Sequence, residues 1–352
     1  MSLKGKNELV KACYGTLFRS NIYRLFPSVN GYLGVILTLH RVCFKEHPYK
    51  SESIKNLFVT VDRLDQSIQF FKDRGYEILS LDEMFTAVSK KTLNQKFVVF
   101  TFDDGYVDNY EIALPVFRKH NVPISIYITT GLINRTIPLW HFILDEIVYS
   151  LESIEFQHDG KQYNLDLRSK GQKKSGYLQL ASIVNNVAIE RQKELLDLLF
   201  SKYGYDFVAY SEKHVLSWKT LATMSTDPLV TIGSHSVNHY EFARLNENEV
   251  RREMLDSKYE LEDKLRKNVD HFAYPFGCSP AINRREIEIA RQCSFKTCTT
   301  TRPGFVCVEH CDFLDSLPRI NLTQDFEKAF LDISFRSHMD GILGRPHKVV
   351  TL

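Results

Sequence analysis

Apolar residues along this chain fall into short runs separated by amphipathic stretches. Runs rich in β-branched and aromatic residues occur at Leu33 to Leu39, Phe97 to Phe102, Ile124 to Ile128, Leu229 to Ile232, Phe272 to Tyr274, Phe295 to Thr299 and Leu317 to Ile320, with a weaker one at Glu77 to Leu79. Such runs have the length of strands rather than of helices. Between them, apolar positions recur at helical spacing, as in Leu64, Ile68 and Phe71 before Gly75, and Val250, Met254, Leu261 and Leu265 before Asn268. Alternating strand and helix predicts βαβ units and a parallel sheet. With seven or eight strands the expected fold is α/β, a distorted (β/α) barrel.

One interval breaks the rhythm. Between the runs at Ile124 and Leu229 lie about 100 residues where a single crossover helix would suffice. An inserted lobe over about 141–226 is expected, set over one end of the barrel. Within it, Ile154 to Phe156 and Tyr163 to Leu167 flank Asp159-Gly160 as a hairpin does, and Glu190 to Phe200 reads as an amphipathic helix. The whole of 1–352 reads as one barrel domain that begins with a helix over 1–30. There Lys4, Lys6, Lys11, Arg19 and Arg24 stand beside Leu9, Leu17, Ile22, Leu25 and Phe26. That pattern suits a helix capping the bottom of the barrel, or peripheral contact with an anionic membrane.

Composition narrows the class. The chain has 352 residues, 43% of them hydrophobic and 25% charged, which is ordinary for a soluble globule and unlike disordered, collagen-like or coiled-coil sequences. Lysine plus arginine number 45 against 43 acidic residues, a net charge of +2 that gives no footing for a nucleic-acid partner. The longest apolar run, Gly31 to Leu39, is about half of the roughly 20 residues that a membrane span needs. The opening Met-Ser-Leu-Lys-Gly-Lys-Asn-Glu carries no apolar signal core, so the expected location is the cytoplasm, with membrane-peripheral contact through residues 1–30 as the variant. Seven thinly spread cysteines suit free thiols in a reducing compartment. Cys293, Cys298, Cys307 and Cys311 lack the Cys-x-x-Cys knuckles of a four-thiolate zinc site. Nothing in the pattern sets an oligomeric state.

The strongest chemical signal is Thr101-Phe102-Asp103-Asp104-Gly105-Tyr106, directly after Phe97-Val98-Val99-Phe100. It places two adjacent carboxylates at the C-terminal end of a buried strand, the end where catalytic groups of a parallel barrel gather. Adjacent carboxylates repel unless a cation or a shared proton stabilises them; the plain alternative is a capped Asp-Asp-Gly turn. A second strand end decides between these. After Leu229-Val230-Thr231-Ile232-Gly233 comes Ser234-His235-Ser236-Val237-Asn238-His239, with two histidines four apart, expected at a strand end or in the first helical turn beyond it. One carboxylate and two histidines with exchangeable water form a catalytic zinc set, leaving the other carboxylate free to act as a base.

These motifs, followed by Phe272-Ala273-Tyr274-Pro275-Phe276-Gly277, resemble the polysaccharide deacetylase family, the NodB-type carbohydrate esterases of distorted barrel fold, over roughly 33–323. The resemblance implies Asp103 as general base and Asp104, His235 and His239 as ligands of Zn2+ or another divalent metal such as Co2+, Ni2+ or Mn2+. It also implies that Tyr106, Pro275 and Phe276 line the acyl and oxyanion side, with a backbone N–H facing the oxyanion. Two positions depart from the family pattern. The arginine usual two residues before the motif proline is Ala273, and Arg319 is the candidate to supply that charge from the opposite side of the barrel. The late Leu-x-x-His motif that carries the general acid has no clean match. His338 in Phe335-Arg336-Ser337-His338 and His40 at the end of the first strand are the two candidates.

The implied activity is metal-dependent removal of an N-acetyl group from an N-acetylated sugar or glycan precursor, with a nucleotide-linked or lipid-linked intermediate favoured as substrate. A small-molecule amidase on the same fold and a non-catalytic sugar-binding barrel are the alternatives. The full set Asp103, Asp104, His235 and His239 favours an enzyme, since buried charges without a metal cost several kcal/mol.

Overall fold

The computed structural model describes residues 32–92, 95–324 and 349–351. Residues 1–30, where a helix is expected from the sequence, and His338 lie outside the described residues.

Thirteen strands appear among the described residues: β1 Tyr32–Leu39, β2 Arg41–Cys43, β3 Phe58–Thr60, β4 Glu77–Ile78, β5 Phe97–Phe102, β6 Ile124–Ile128, β7 Ser153–His158, β8 Lys161–Asp166, β9 Val230–Ser234, β10 His271–Ala273, β11 Thr297–Thr299, β12 Val306–Cys307 and β13 Ile320–Asn321. One sheet runs β11-β10-β9-β6-β5-β1-β12, with β13 also pairing β1 and β4 pairing β5. Its ladders are parallel apart from β1 with β12. All six residues of β5 are buried, the near-continuous apolar strand expected where both faces of a parallel sheet are covered.

The chain after β12 closes the sheet. The Leu317 N–H donates to Cys298 at 2.9 Å and its carbonyl accepts from Thr300 at 2.8 Å, while Ile320 pairs with Leu37 of β1. One segment thus bonds to both sheet edges and curls it into a distorted (β/α) barrel. The run Leu317 to Ile320 is not one strand, because Pro318 has no N–H to continue a ladder. It serves β11 before the proline and β1 after it. Two features carry no period in the sequence and were not expected from it: the antiparallel two-residue β12, and the small parallel ladder of β2 with β3.

Between β6 and β9 stand a helix Trp140–Ser150, the β7–β8 hairpin and helices Lys170–Asn186, Ile189–Lys202, Phe207–His214 and Trp218–Ser225. Ile154 faces Leu165 and Phe156 faces Tyr163 in the hairpin, where the alternating pattern placed them. The Lys173 ammonium donates to the carbonyls of Val148, Tyr149 and Leu151, a cation on the exposed acceptors of a helix C-terminus. Cys43, Cys278, Cys293, Cys298, Cys307 and Cys311 are free thiols. No helix among the described residues is long and apolar enough to cross a membrane.

Candidate active site

The first carboxylate is set by strand β5 itself, since the Asp103 N–H donates to the Leu39 carbonyl at 3.0 Å and extends the β1–β5 ladder by one residue. Asp104 and Gly105 then adopt left-handed backbone, φ 76° and 86°. Glycine takes this conformation at no steric cost and aspartate does so only when its surroundings impose it. A Cβ at residue 105 would also lie 2.9 Å from the Ile128 side chain. The turn sends the Asp104 carboxylate toward the end of β9.

His235 follows β9, its N–H donating to the Ile128 carbonyl at 2.8 Å. The segment beyond is a loop rather than a helical turn, which corrects one of the two arrangements expected of the histidine pair. Ser236 and His239 are both left-handed, φ 69° and 54°. Glu253, on the helix Glu247–Leu265, accepts from the N–H groups of Val237 and Asn238 at 3.0 and 2.8 Å and fixes the loop from behind.

These two strand ends bring Asp104, His235 and His239 together, with one ligand atom of each within 4.8 Å of the others. Asp104 Oδ1 lies 3.7 Å from His235 Nε2 and 3.5 Å from His239 Nε2. It is buried and has no hydrogen-bond partner. His235 turns its other nitrogen, Nδ1, to the Ala273 carbonyl at 2.6 Å, so Nε2 presents its lone pair to the cluster. Burial lowers the His235 pKa to about 4, which keeps that ring neutral. Donors bound at about 2.0–2.2 Å in a tetrahedral shell lie roughly 3.3–3.6 Å apart, so the separations from the orphaned Asp104 oxygen fit a divalent ion.

Asp103 has another partner. The Arg319 guanidinium is 1% exposed and donates from Nη1 to Asp103 Oδ1 at 2.7 Å and from Nη2 to Oδ2 at 2.8 Å. Its Nε donates to the Thr300 carbonyl at 2.9 Å, which locks the fork in place. Burial pushes the Asp103 carboxyl up, but the Arg319 charge and hydrogen bonds, together with the neighbouring His235 and His40, outweigh it and hold the carboxyl below the usual carboxylate range. The arginine precedes β13, the last strand, which pairs with β1 as β5 does, so it reaches Asp103 from the side of β5 away from Ala273 on β10. Ala273, unable to reach Asp103 with a side chain, contributes its carbonyl to His235 instead.

A cavity of about 430 Å³ opens over this constellation and is lined by His40, Asp103, Asp104, Tyr106, His235, His239 and Phe276. Tyr106 is nearly fully buried, and burial followed by the Asp104 charge pushes its phenol well above the ordinary value. Pro275 does not line the cavity. The Gly277 N–H closes back on the Pro275 carbonyl at 2.6 Å and Phe276 is left-handed at φ 58°, so the turn buries the proline and swings the phenylalanine beside His239, ring centroids 4.9 Å apart. The Phe276 N–H meets no acceptor among the described residues.

The cavity's other wall is not marked by any motif in the sequence. Trp140 and His141, stacked with ring centroids 3.4 Å apart, line it together with Asn185, Leu196 and Phe207. Burial lowers the His141 pKa to about 3. A lone histidine after Pro-Leu-Trp has no spacing partner to mark it, and only the length of the interval between β6 and β9 hinted at this wall.

A sequence model described as polysaccharide deacetylase matches residues 90–298. The chain belongs to the polysaccharide deacetylase family. Within that family it is 21% identical to YxkH of Bacillus subtilis over 258 residues, 73% of this chain and 63% of that one. It is 30% identical to the poly-beta-1,6-N-acetyl-D-glucosamine N-deacetylase of Staphylococcus aureus over 81 residues, 23% of this chain and 28% of that one. The chain thus spans less than two thirds of the length of these relatives. Among solved structures, the Streptococcus pyogenes deacetylase PplD in complex with acetate superposes with TM-score 0.55 at 22% identity, covering 88% of this chain and 99% of that one. IcaB from Ammonifex degensii superposes with TM-score 0.56 at 16% identity over the same shares. Both likenesses extend the family's fold to most of this chain.

Proposed function

We propose that this polysaccharide deacetylase family member hydrolyses the acetamide of an N-acetylated saccharide with the help of a divalent metal. The observation that carries the reading is the pairing of an orphaned carboxylate oxygen and two imidazole nitrogens with a second carboxylate, separately clamped by an arginine, in one cavity. The names of the Staphylococcus aureus relatives and the acetate bound to PplD support the choice of an acetamide.

Asp104, His235 and His239 are the residues that would hold the ion, with zinc the first choice and cobalt, nickel or manganese compatible with the same donors. When bound, such an ion supplies Lewis acidity toward a carbonyl and a lowered pKa for water. Asp103, ionised and oriented by Arg319, accepts the proton of the water that adds to the acetyl carbon. The free Phe276 N–H faces the oxygen on which negative charge develops. His40, on the cavity wall with its Nδ1 unpaired, hands a proton to the departing amine as the C–N bond breaks. Acetate and a free amino sugar are the products.

The test is acetate release from a panel of N-acetylated mono- and oligosaccharides and N-acetylated small amides, with zinc added and Asp103→Asn as control. Release from saccharides by the parent alone supports the reading. Release only from small amides moves the substrate class, and no release from any compound overturns the proposal.

A further inference from the structure

Arg41 belongs to none of the motifs above and does not line the cavity. Its side chain is nonetheless buried, at 7% exposure, directly after His40 of the cavity wall. Nε donates to Asp108 Oδ2 at 2.8 Å, Nη2 lies 3.4 Å from His214 Nδ1, and Nη1 has no hydrogen-bond partner. Three rings surround the cation, with the guanidinium carbon 4.8 Å from the Tyr106 centroid, 5.0 Å from that of Phe58 and 5.3 Å from that of Phe142. Desolvating a guanidinium is costly, and ring quadrupoles with one carboxylate offset that cost only where the packing is built around the cation.

What the cation holds leads to the site in two directions. Tyr106 stacks on it, and Tyr106 ends the left-handed Asp104-Gly105 turn and lines the same cavity as Asp104. Asp108, its ion-pair partner, accepts from the Val42 N–H at 3.0 Å and from Asn109 Nδ2 at 3.2 Å. The same Asn109 amide donates to the His40 carbonyl at 2.8 Å. His40 is therefore pinned through its own carbonyl and through the side chain of the residue that follows it.

We propose that Arg41 is a positioning residue, which by holding the Tyr106 ring anchors the end of the turn that presents Asp104, and which fixes the His40 main chain through Asp108 and Asn109. Partners that orient ligands from outside the coordination shell typically change metal affinity or activity by about 10- to 100-fold when removed. A cation that served packing alone would change stability and leave both quantities where they were. The part of the inference that concerns His40 rests on the reaction proposed above; the part that concerns Asp104 rests only on the metal site of that reading and is read in zinc affinity, without turnover.

The experiment compares full-length parent, Arg41→Met and Arg41→Lys. It measures zinc affinity by competition with a chromogenic chelator, kcat and KM for acetate release, and folding by near-ultraviolet circular dichroism. Arg41→Met is expected to bind zinc about tenfold more weakly and to lose about tenfold or more in kcat, with KM within about twofold. Arg41→Lys restores the charge without the planar stack and recovers part of each loss. A folded Arg41→Met with parental zinc affinity overturns the inference. If Arg41→Met does not fold, Arg41→Lys decides: zinc affinity at least threefold weaker supports the inference, and parental affinity overturns it. A parent that releases no acetate sinks the proposed function and leaves the zinc comparison to decide on Arg41.

Discussion

Arg319 and Asp103 meet through two parallel hydrogen bonds of 2.7 and 2.8 Å, although 216 positions separate them in the chain. Both groups are buried, so the pair is worth far more to the orientation of the carboxylate than a surface bridge would be. Arg319→Met is expected to lower kcat by about 10²-fold, within the range for an impaired general base. Zinc affinity should stay within about threefold. The buried, unpaired carboxylate should also lower stability, by about 3–5 kcal/mol. Steady-state kinetics, zinc titration and urea unfolding of one preparation check all three, and an unchanged kcat would show that Asp103 needs no partner.

Asp103→Asn keeps the shape of the side chain and removes the proton acceptor. Turnover should fall by about 10² to 10⁴-fold while zinc binds in the parental ratio. Acetate release and metal content of the purified variant are the measurements. Parental turnover would make Asp103 structural.

Chelation should abolish acetate release, and zinc should restore it. Zinc at 100 times its dissociation constant should stabilise the parent by about 2.7 kcal/mol, an increment that Asp104→Ala and His235→Ala lose. Thermal melts with and without zinc read this directly. Equal shifts in parent and variants would place the ion elsewhere.

His214 gives a pH signature independent of the chemistry. Burial, reinforced by Arg41, lowers its folded pKa to about 4 from the ordinary 6.5. Between these values the unfolded chain takes up a proton that the folded chain refuses, so stability falls as pH drops through that window. Allowing for the water that reaches the ring, the loss is about 1–2 kcal/mol. Urea unfolding at pH 7 and pH 5 should show a smaller drop for His214→Gln than for the parent, and equal drops would argue against this group.

The parts of the site that lie at strand ends were legible in the sequence, because a buried run followed at once by acids or histidines fixes which end of the barrel they occupy. Asp103, Asp104 and His235 are of this kind. Arg319 was legible through an absence, the alanine at position 273. Arg41 was not, since an arginine that opens the three-residue β2 has no period to mark it, and its aromatic cage draws Phe58, Tyr106 and Phe142 from three separate segments. The loop of His239 escaped for a different reason: its course depends on left-handed backbone at Ser236 and on Glu253 beneath it, and neither residue type signals such a turn. In the fold, long buried strands announced themselves, whereas β12 and β13, two residues each, are defined by their neighbours rather than by their own pattern.

The segment that joins the two sheet edges is also the one that carries Arg319, which ties two events in the life of the chain. Domains emerge from synthesis N-terminal end first. The proposed metal donors, all before residue 240, are therefore made long before the guanidinium that clamps Asp103. A nascent or truncated chain ending near Leu317 possesses every proposed ligand but lacks the guanidinium that clamps Asp103, and the proposed site is complete only once the segment carrying Arg319 docks against β1.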